Sequence, residues 1–160
     1  MTVKGWSPAL WVAAWLALVL TALATRPLLP VDETRYLGVA WEMWTTGEFL
    51  VPHLNGEPYS HKPPLLFWLI NLSWALFGVG DVAARLVAPL FALGNLVLTH
   101  VLARRLWPDR PEVAMLAPMI LAGSLFWGAV ATLTFFDMVV GFFTLAALVG
   151  VLEACRPGSW

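Results

Sequence analysis

Charge is scarce in this chain. Only 12 % of its 160 residues are Asp, Glu, Lys or Arg, against about 25 % in soluble domains. Hydrophobic residues make up 60 %, and the mean hydropathy is +0.78. Cysteine is nearly absent: the single thiol, Cys155, cannot form an internal disulfide and carries no information about redox compartment. There is no basic run, and the formal net charge is −1, so nothing marks a nucleic-acid partner. Repeats and low-complexity segments are missing too. What is plentiful is tryptophan, with ten residues, and Trp gathers at membrane interfaces where its ring stays apolar and its N–H stays wet. This is the composition of an integral membrane protein.

Residues 9–25 follow a lone Lys4 and hold no charge. Their length is at the lower end of what crosses a bilayer as a helix. The rival reading is a secretory signal peptide cleaved at Ala22-Leu23-Ala24; either reading sends residue 26 onward to the outside. Arg26, Pro27 and Pro30 end the helix. Asp32 then sits where an N-cap belongs, and the next stretch reads as a helix lying on the membrane. In it Tyr36, Val39 or Ala40, Met43 and Trp44 recur at helical spacing, with Gly47 closing it. Residues 48–62 are loop, with a turn expected at Asn55-Gly56 between short extended pieces.

Pro63-Pro64 opens a further helix. From Pro64 to Phe77 it reaches roughly 21 Å at 1.5 Å per residue, short of a hydrocarbon core of roughly 30 Å, so a second interfacial helix is expected. If it crossed instead, everything after it would change sides. Spans are expected at residues 82–103, 113–128 and 138–154, the last ending at Arg156. Arg104, Arg105 and Arg110 lie between the first two of these and mark a cytoplasmic loop. They set orientation and can touch anionic lipid. The expected fold is thus an all-α membrane domain over residues 1–160, with four transmembrane helices and two interfacial helices in the extracytoplasmic loop 26–81.

That loop holds the one long polar stretch, with Asp32, Glu33, Glu42, Glu48, Glu57, Arg35, Lys62, His53 and His61. The expected topology brings Asp32, Glu33, Arg35, Lys62 and Asp137 to one face. A carboxylate beside lipid is costly and is kept mainly for function or hidden in a polar cavity. Cations at a helix N-terminus make an anion site. Together they suit a hydroxyl attacking a group carried on a lipid phosphate. Each residue also has a bland role: Asp32 as N-cap, Glu33 as a charge favouring the helix start, Arg35 as the i+3 partner of Asp32, Lys62 as a headgroup contact. His100 reads as structural, and the Trp and Phe content as interface and packing.

The strings PVDETRY, GEFLVPHLNGEPYSHKPPLLFWL and LTFFDM resemble the polyprenyl-phosphate-sugar-dependent glycosyltransferases of the GT-C fold. Within them they resemble the bacterial aminoarabinose transferase and protein O-mannosyltransferase-like branch. The similarity covers most of residues 26–90 and the region of Asp137. Asp-Glu-x-Arg-Tyr followed about 26 residues later by Lys-Pro-Pro is fairly specific as a pair. The resemblance implies that Asp32 activates the acceptor hydroxyl, with Glu33 as its neighbour. It implies that Lys62 grips the lipid phosphate, assisted by Arg35 and Tyr36, and that Asp137 helps to bind acceptor or donor. The expected donor is a polyprenyl-phosphate-linked sugar; the acceptor is a lipid such as lipid A, a polysaccharide or a protein; the setting is the bacterial inner membrane.

The residue before the lysine is commonly glutamate in that family and is His61 here, which changes the ligands of any metal site. His53 and His61 are not at a recognised ligand spacing, so a divalent metal held by them is the weaker reading and no cofactor is assigned. Family members are several times longer, so this chain is read as an N-terminal portion. The alternative function is a non-catalytic membrane module, such as a transporter fragment or lipid-binding subunit, holding an anionic lipid in the same loop.

Overall fold

The computed structural model describes residues 8–155; Lys4 and Arg156 lie outside the described residues. The elements are α1 (Pro8–Thr25), α2 (Asp32–Thr46), β1 (His53–Leu54), β2 (Glu57–Pro58), α3 (Leu65–Phe77), α4 (Asp81–Arg85), α5 (Val87–Leu106), α6 (Pro111–Ala122), α7 (Leu125–Ala131) and α8 (Phe136–Ala154). Among the described residues two stretches are long and apolar enough to cross a membrane: Asp81–Leu106, in which α4 runs on into α5, and α8. A third arises if α6 and α7 are taken together.

The span expected at residues 113–128 is present only if α6 and α7 are one broken span. The pair is bent by 70° between α6 and α7. The break falls at Gly123-Ser124, where Ser124 caps α7 by accepting from the Trp127 amide at 3.5 Å. A helix that restarts with its own cap has left the ladder of the one before. α1 forms over the expected first span, but its 18 residues reach only roughly 27 Å.

Two cores divide the work. The membrane-level core joins Trp11 of α1 to Ala88, Ala92 and Leu96 of α5, Trp127 and Ala131 of α7 and Met138 of α8. Small residues let backbones approach, as is usual where helices cannot rely on a hydrophobic drive. A Cβ on Gly94 would lie 2.6 Å from the Phe142 ring. Polar ties cross the same region: Asn95 donates to the Met138 carbonyl at 3.0 Å, Trp15 to the Pro89 carbonyl at 2.9 Å and Arg85 to the Ala22 carbonyl at 2.9 Å. Large apolar side chains such as Leu16, Leu20, Val140, Phe143 and Val151 remain exposed around the outside, a surface suited to lipid.

The second core lies under the polar loop. α2 and α3 bury Tyr36, Val39, Ala40, Met43, Phe67, Ile70 and Trp74 against one another, with Phe136 and Val139 of α8 beneath. The helical spacing of Tyr36, Val39, Ala40 and Met43 faces this core as expected. Gly47 ends α2 in the left-handed region, φ 74°, with its N–H on the Met43 carbonyl, a conformation that costs glycine nothing. Asn55 (φ 57°) and Gly56 (φ 82°) turn the β1–β2 hairpin, the pair of positive φ values that a two-residue hairpin turn requires. The Gly56 amide is held by the Glu42 carboxylate at 2.7 Å and Trp68 donates to the Phe49 carbonyl at 2.7 Å, so the loop is fastened to both α2 and α3.

Candidate functional site at the loop between α1 and α3

The N-terminus of α2 is where the site begins, and it is not capped as the sequence suggests. The N-cap is Val31, at φ 78° with no side-chain cap hydrogen bond. Asp32 is the first helical residue, and its carboxylate accepts from Arg35 Nη2 at 2.7 Å, one turn on. Asp32 is therefore about half exposed and paired on one side, its side chain retaining 49 % of its surface.

Glu33 points the other way. Its carboxylate is fully buried and ion-paired with Arg26, whose second nitrogen lies 3.2 Å from Oε1. The Leu29 amide donates to Oε2 at 2.9 Å and the Thr134 amide to Oε1 at 2.8 Å. Arg26 also reaches the Thr132 carbonyl at 2.7 Å. Burial pushes the Glu33 carboxyl up, but Arg26 and the two amides outweigh it and hold the group below its ordinary value. Four hydrogen bonds from three residues thus meet on one carboxylate, and they bind the start of α2 to the turn before α8.

That turn delivers the other half of the site. Phe136, the first residue of α8, packs edge-on against Tyr36 (5.2 Å between centroids) and Phe67 (5.6 Å). The Lys62 ammonium sits 5.5 Å from the centre of its ring, within the range of a cation–π contact. Asp137 follows at once and is exposed. Burial raises the Tyr36 hydroxyl above its ordinary value, and the negative charges of Asp32 and Asp137 add to the effect while Arg35 opposes it. Tyr36 and Lys62 thus meet on the Phe136 ring, and the paired Asp32 and Arg35, with Asp137, lie close enough to Tyr36 for their charges to act on it. Glu33 lies buried, within the clasp.

The histidines stand apart from a ligand set. His53 Nδ1 is 2.8 Å from the Val51 carbonyl, and the His61 ring lies 5.2 Å from that of Tyr59. Among the described residues no three His, Cys, Asp or Glu side chains come together as a metal group. The residues present do not fit a bound divalent ion, and no chemistry is routed through one. Arg26 and Phe136 were missed in the sequence. Arg26 looks like a helix-ending charge, and its partner Glu33 is seven residues on, across the non-helical Pro27–Pro30 stretch between α1 and α2.

Fold and site together define a helical protein with candidate membrane spans that presents carboxylates and cations at the start of α2, before α3 and at the start of α8. Residues 61–160 match the dolichyl-phosphate-mannose-protein mannosyltransferase family, and the chain belongs to that family. It is 31 % identical over 159 residues to the undecaprenyl phosphate-alpha-4-amino-4-deoxy-L-arabinose arabinosyl transferase of Aeromonas hydrophila, covering 99 % of this chain and 28 % of the relative. With the arabinosyl transferase 1 of Pseudomonas fluorescens it shares 38 % identity over 106 residues, 66 % of this chain and 19 % of the relative. Crystal structures of ArnT from Cupriavidus metallidurans superpose on it. The form bound to undecaprenyl phosphate gives a TM-score of 0.84 at 28 % identity, over 98 % of this chain and 28 % of the other. The apo form gives 0.79 at 27 % identity, over 94 % and 28 %. The chain therefore spans less than a third of the length of these relatives, and it is homologous to the N-terminal portion of a membrane glycosyltransferase that uses a polyprenyl-phosphate sugar.

Proposed function

We propose that the chain forms the loop-bearing part of a membrane glycosyltransferase that moves a sugar from a polyprenyl phosphate to an acceptor hydroxyl or phosphate outside the cytoplasm. The observation that carries this reading is that Lys62 and Tyr36 share the Phe136 ring, next to Asp137 in the chain, while the charges of Asp32, Arg35 and Asp137 all act on Tyr36. Four crossings, by α1, by α4 with α5, by α6 with α7, and by α8, put these residues outside and leave α2 and α3 at the surface. The contacts of Arg85 with Ala22 and of Arg26 with Thr132 support a shared level for the α1 end, the α5 start and the α8 start. The setting is the inner membrane.

In this reaction an acceptor hydroxyl attacks the sugar carbon, its proton passes to the Asp32 carboxylate, and the bond from that carbon to the phosphate oxygen breaks. Inversion at the carbon follows from a single displacement. Lys62 and Arg35 lie where cations stabilise the charge growing on the departing polyprenyl phosphate, an arrangement in which one preorganised contact is worth about 3–4 kcal/mol. Arg35 already touches Asp32, so phosphate binding competes for its guanidinium and leaves the carboxylate freer to act as base. General-base catalysis contributes roughly 10²–10⁴ in rate. Asp137 holds the acceptor or donor sugar, and Glu33, with both oxygens occupied, positions Asp32.

The test is Asp32→Asn, assayed for transfer from an undecaprenyl-phosphate-linked aminoarabinose donor and, separately, for binding of undecaprenyl phosphate. Transfer is expected to fall by at least 10²-fold with lipid binding retained; unchanged transfer removes Asp32 as base. A second reading is a non-catalytic membrane module that holds an anionic lipid, supported by the Lys62 ammonium being exposed on the Phe136 ring. It is the outcome if the wild-type chain binds the lipid phosphate through Lys62 and transfers nothing.

A further inference from the structure

The end of the bundle away from the Asp32 loop carries a concavity with basic side chains. α8 leaves the site at Phe136 and runs for 19 residues, roughly 28 Å at 1.5 Å per residue. At its far end Arg105 of α5 pairs with Glu153 at 2.5 Å and approaches the Val149 carbonyl at 3.4 Å. Beside this pair lies a cavity of about 340 Å³ lined by His100, Val101, Arg104 and Arg105.

Its walls are fixed by different helices. His100 Nδ1 is 2.7 Å from the Ala114 carbonyl of α6. That oxygen can only accept, so Nδ1 carries the proton and His100 is fastened to α6. Arg105 is anchored to α8. Arg104 is exposed and, among the described residues, has no hydrogen bond or ion pair. The acidic groups nearby in sequence are Asp109 and Glu112, both exposed, while Glu153 is committed to Arg105. Leu106 and Trp107, half exposed at the end of α5, mark the level at which apolar surface gives way to headgroups. A concavity along the end of α5 that carries basic side chains at that level is suited to phosphate, and guanidinium is the group that grips it in a fork.

We propose that this cavity binds a phosphate group, supplied by the headgroup of an anionic phospholipid in the leaflet opposite the Asp32 face. The site uses no residue of the transfer reaction, so it stands or falls separately from the proposed function. It would seat the inner ends of α5, α6 and α8 on the membrane surface.

The experiment is binding of short-chain phosphatidylglycerol to the 160-residue chain purified in a neutral detergent, read by native mass spectrometry. Phosphatidylcholine and inorganic phosphate are run in parallel. Saturable binding of phosphatidylglycerol at one site is expected, without matching binding of phosphatidylcholine. Arg104→Gln should weaken it roughly five-fold, and Arg104→Lys, which keeps the charge but not the fork, should restore part of it. Because Arg104 is exposed, neither variant threatens the fold. Inorganic phosphate binding as tightly as the lipid would support the phosphate site and overturn the lipid as its source. Phosphatidylglycerol binding that is indifferent to Arg104→Gln, or equal binding of phosphatidylcholine, would overturn the proposal.

Discussion

Arg26 and Glu33 form an ion pair whose carboxylate is fully buried and whose guanidinium also holds the Thr132 carbonyl. With the Thr134 amide on the same carboxylate, 101 residues from Glu33 in sequence, the pair joins the two halves of the site. Asp32 precedes Glu33 on α2, and Phe136 and Asp137 follow Thr134. Whatever spacing the two exposed carboxylates need is set through this buried one.

Removing either partner should be costly. A buried pair broken on one side leaves a charge without its counter-ion, which costs about 3–5 kcal/mol. Glu33→Leu and Arg26→Ala are each expected to destabilise the chain by that order, measured by denaturation in detergent followed by circular dichroism. The double variant should lose less than the sum of the two. Full additivity, or losses under about 1 kcal/mol, would mean the pair is not the clasp described.

The pH dependence has a definite sign. The folded Glu33 carboxyl lies below its ordinary value of 4.5 because Arg26 and two amides overcome the effect of burial. The unfolded chain therefore takes up this proton first as the pH falls. The stability contributed by the clasp is fully present above about pH 4.5 and is lost progressively as the pH drops through the lowered folded value. Unfolding midpoints measured from pH 7 to pH 3 should fall more steeply below 4.5 in wild type than in Glu33→Gln. Parallel curves would assign acid sensitivity to other carboxyls.

Sidedness can be read directly by thiol labelling. Glu48, His61 and Asp137 are exposed near the site, and Asp109 is exposed beyond the other end of α5. Single cysteines there, in a Cys155→Ser background, should divide cleanly with an impermeant reagent in intact cells. Positions 48, 61 and 137 should label from outside, and position 109 only after lysis. Labelling of 48 and 61 without 137 would mean that α3 crosses the membrane, and the gathered site would then not exist in the cell.

Local chemistry made much of this architecture legible in advance. Gly47 and the Asn55-Gly56 turn stand out because few residues tolerate positive φ, and the α2 periodicity is plain because its buried face must be apolar. Asp32, Arg35, Lys62 and Asp137 are conspicuous as charges in an apolar chain. The clasp is not legible: two of its donors are backbone amides, which carry no residue signature, and one comes from the far end of the chain. Nor is Phe136 as the support of Lys62, since a phenylalanine in an apolar run looks like any other. The bend at Gly123-Ser124 had a signal, a capping serine after glycine, but apolar length on both sides disguised two short helices as one span. Val31 took the cap position from Asp32 because the Asp32 carboxylate is drawn to Arg35.

The last prediction concerns Lys62. Its ammonium rests on the Phe136 ring at 5.5 Å and belongs to an exposed residue, so it is held in place yet remains open to a ligand. If it grips a phosphate, Lys62→Met should weaken binding of undecaprenyl phosphate by roughly ten-fold or more, the loss expected for one charge-assisted contact. Phe136→Leu keeps the apolar volume but removes the ring face. It should give a smaller loss, near the about 0.5–1 kcal/mol of an exposed cation–π contact. The order of the two effects is the discriminating result. A lysine that only touches headgroups would show little change on Lys62→Met and none on Phe136→Leu, whereas a lysine placed by the ring for a bound phosphate requires both losses, in that order.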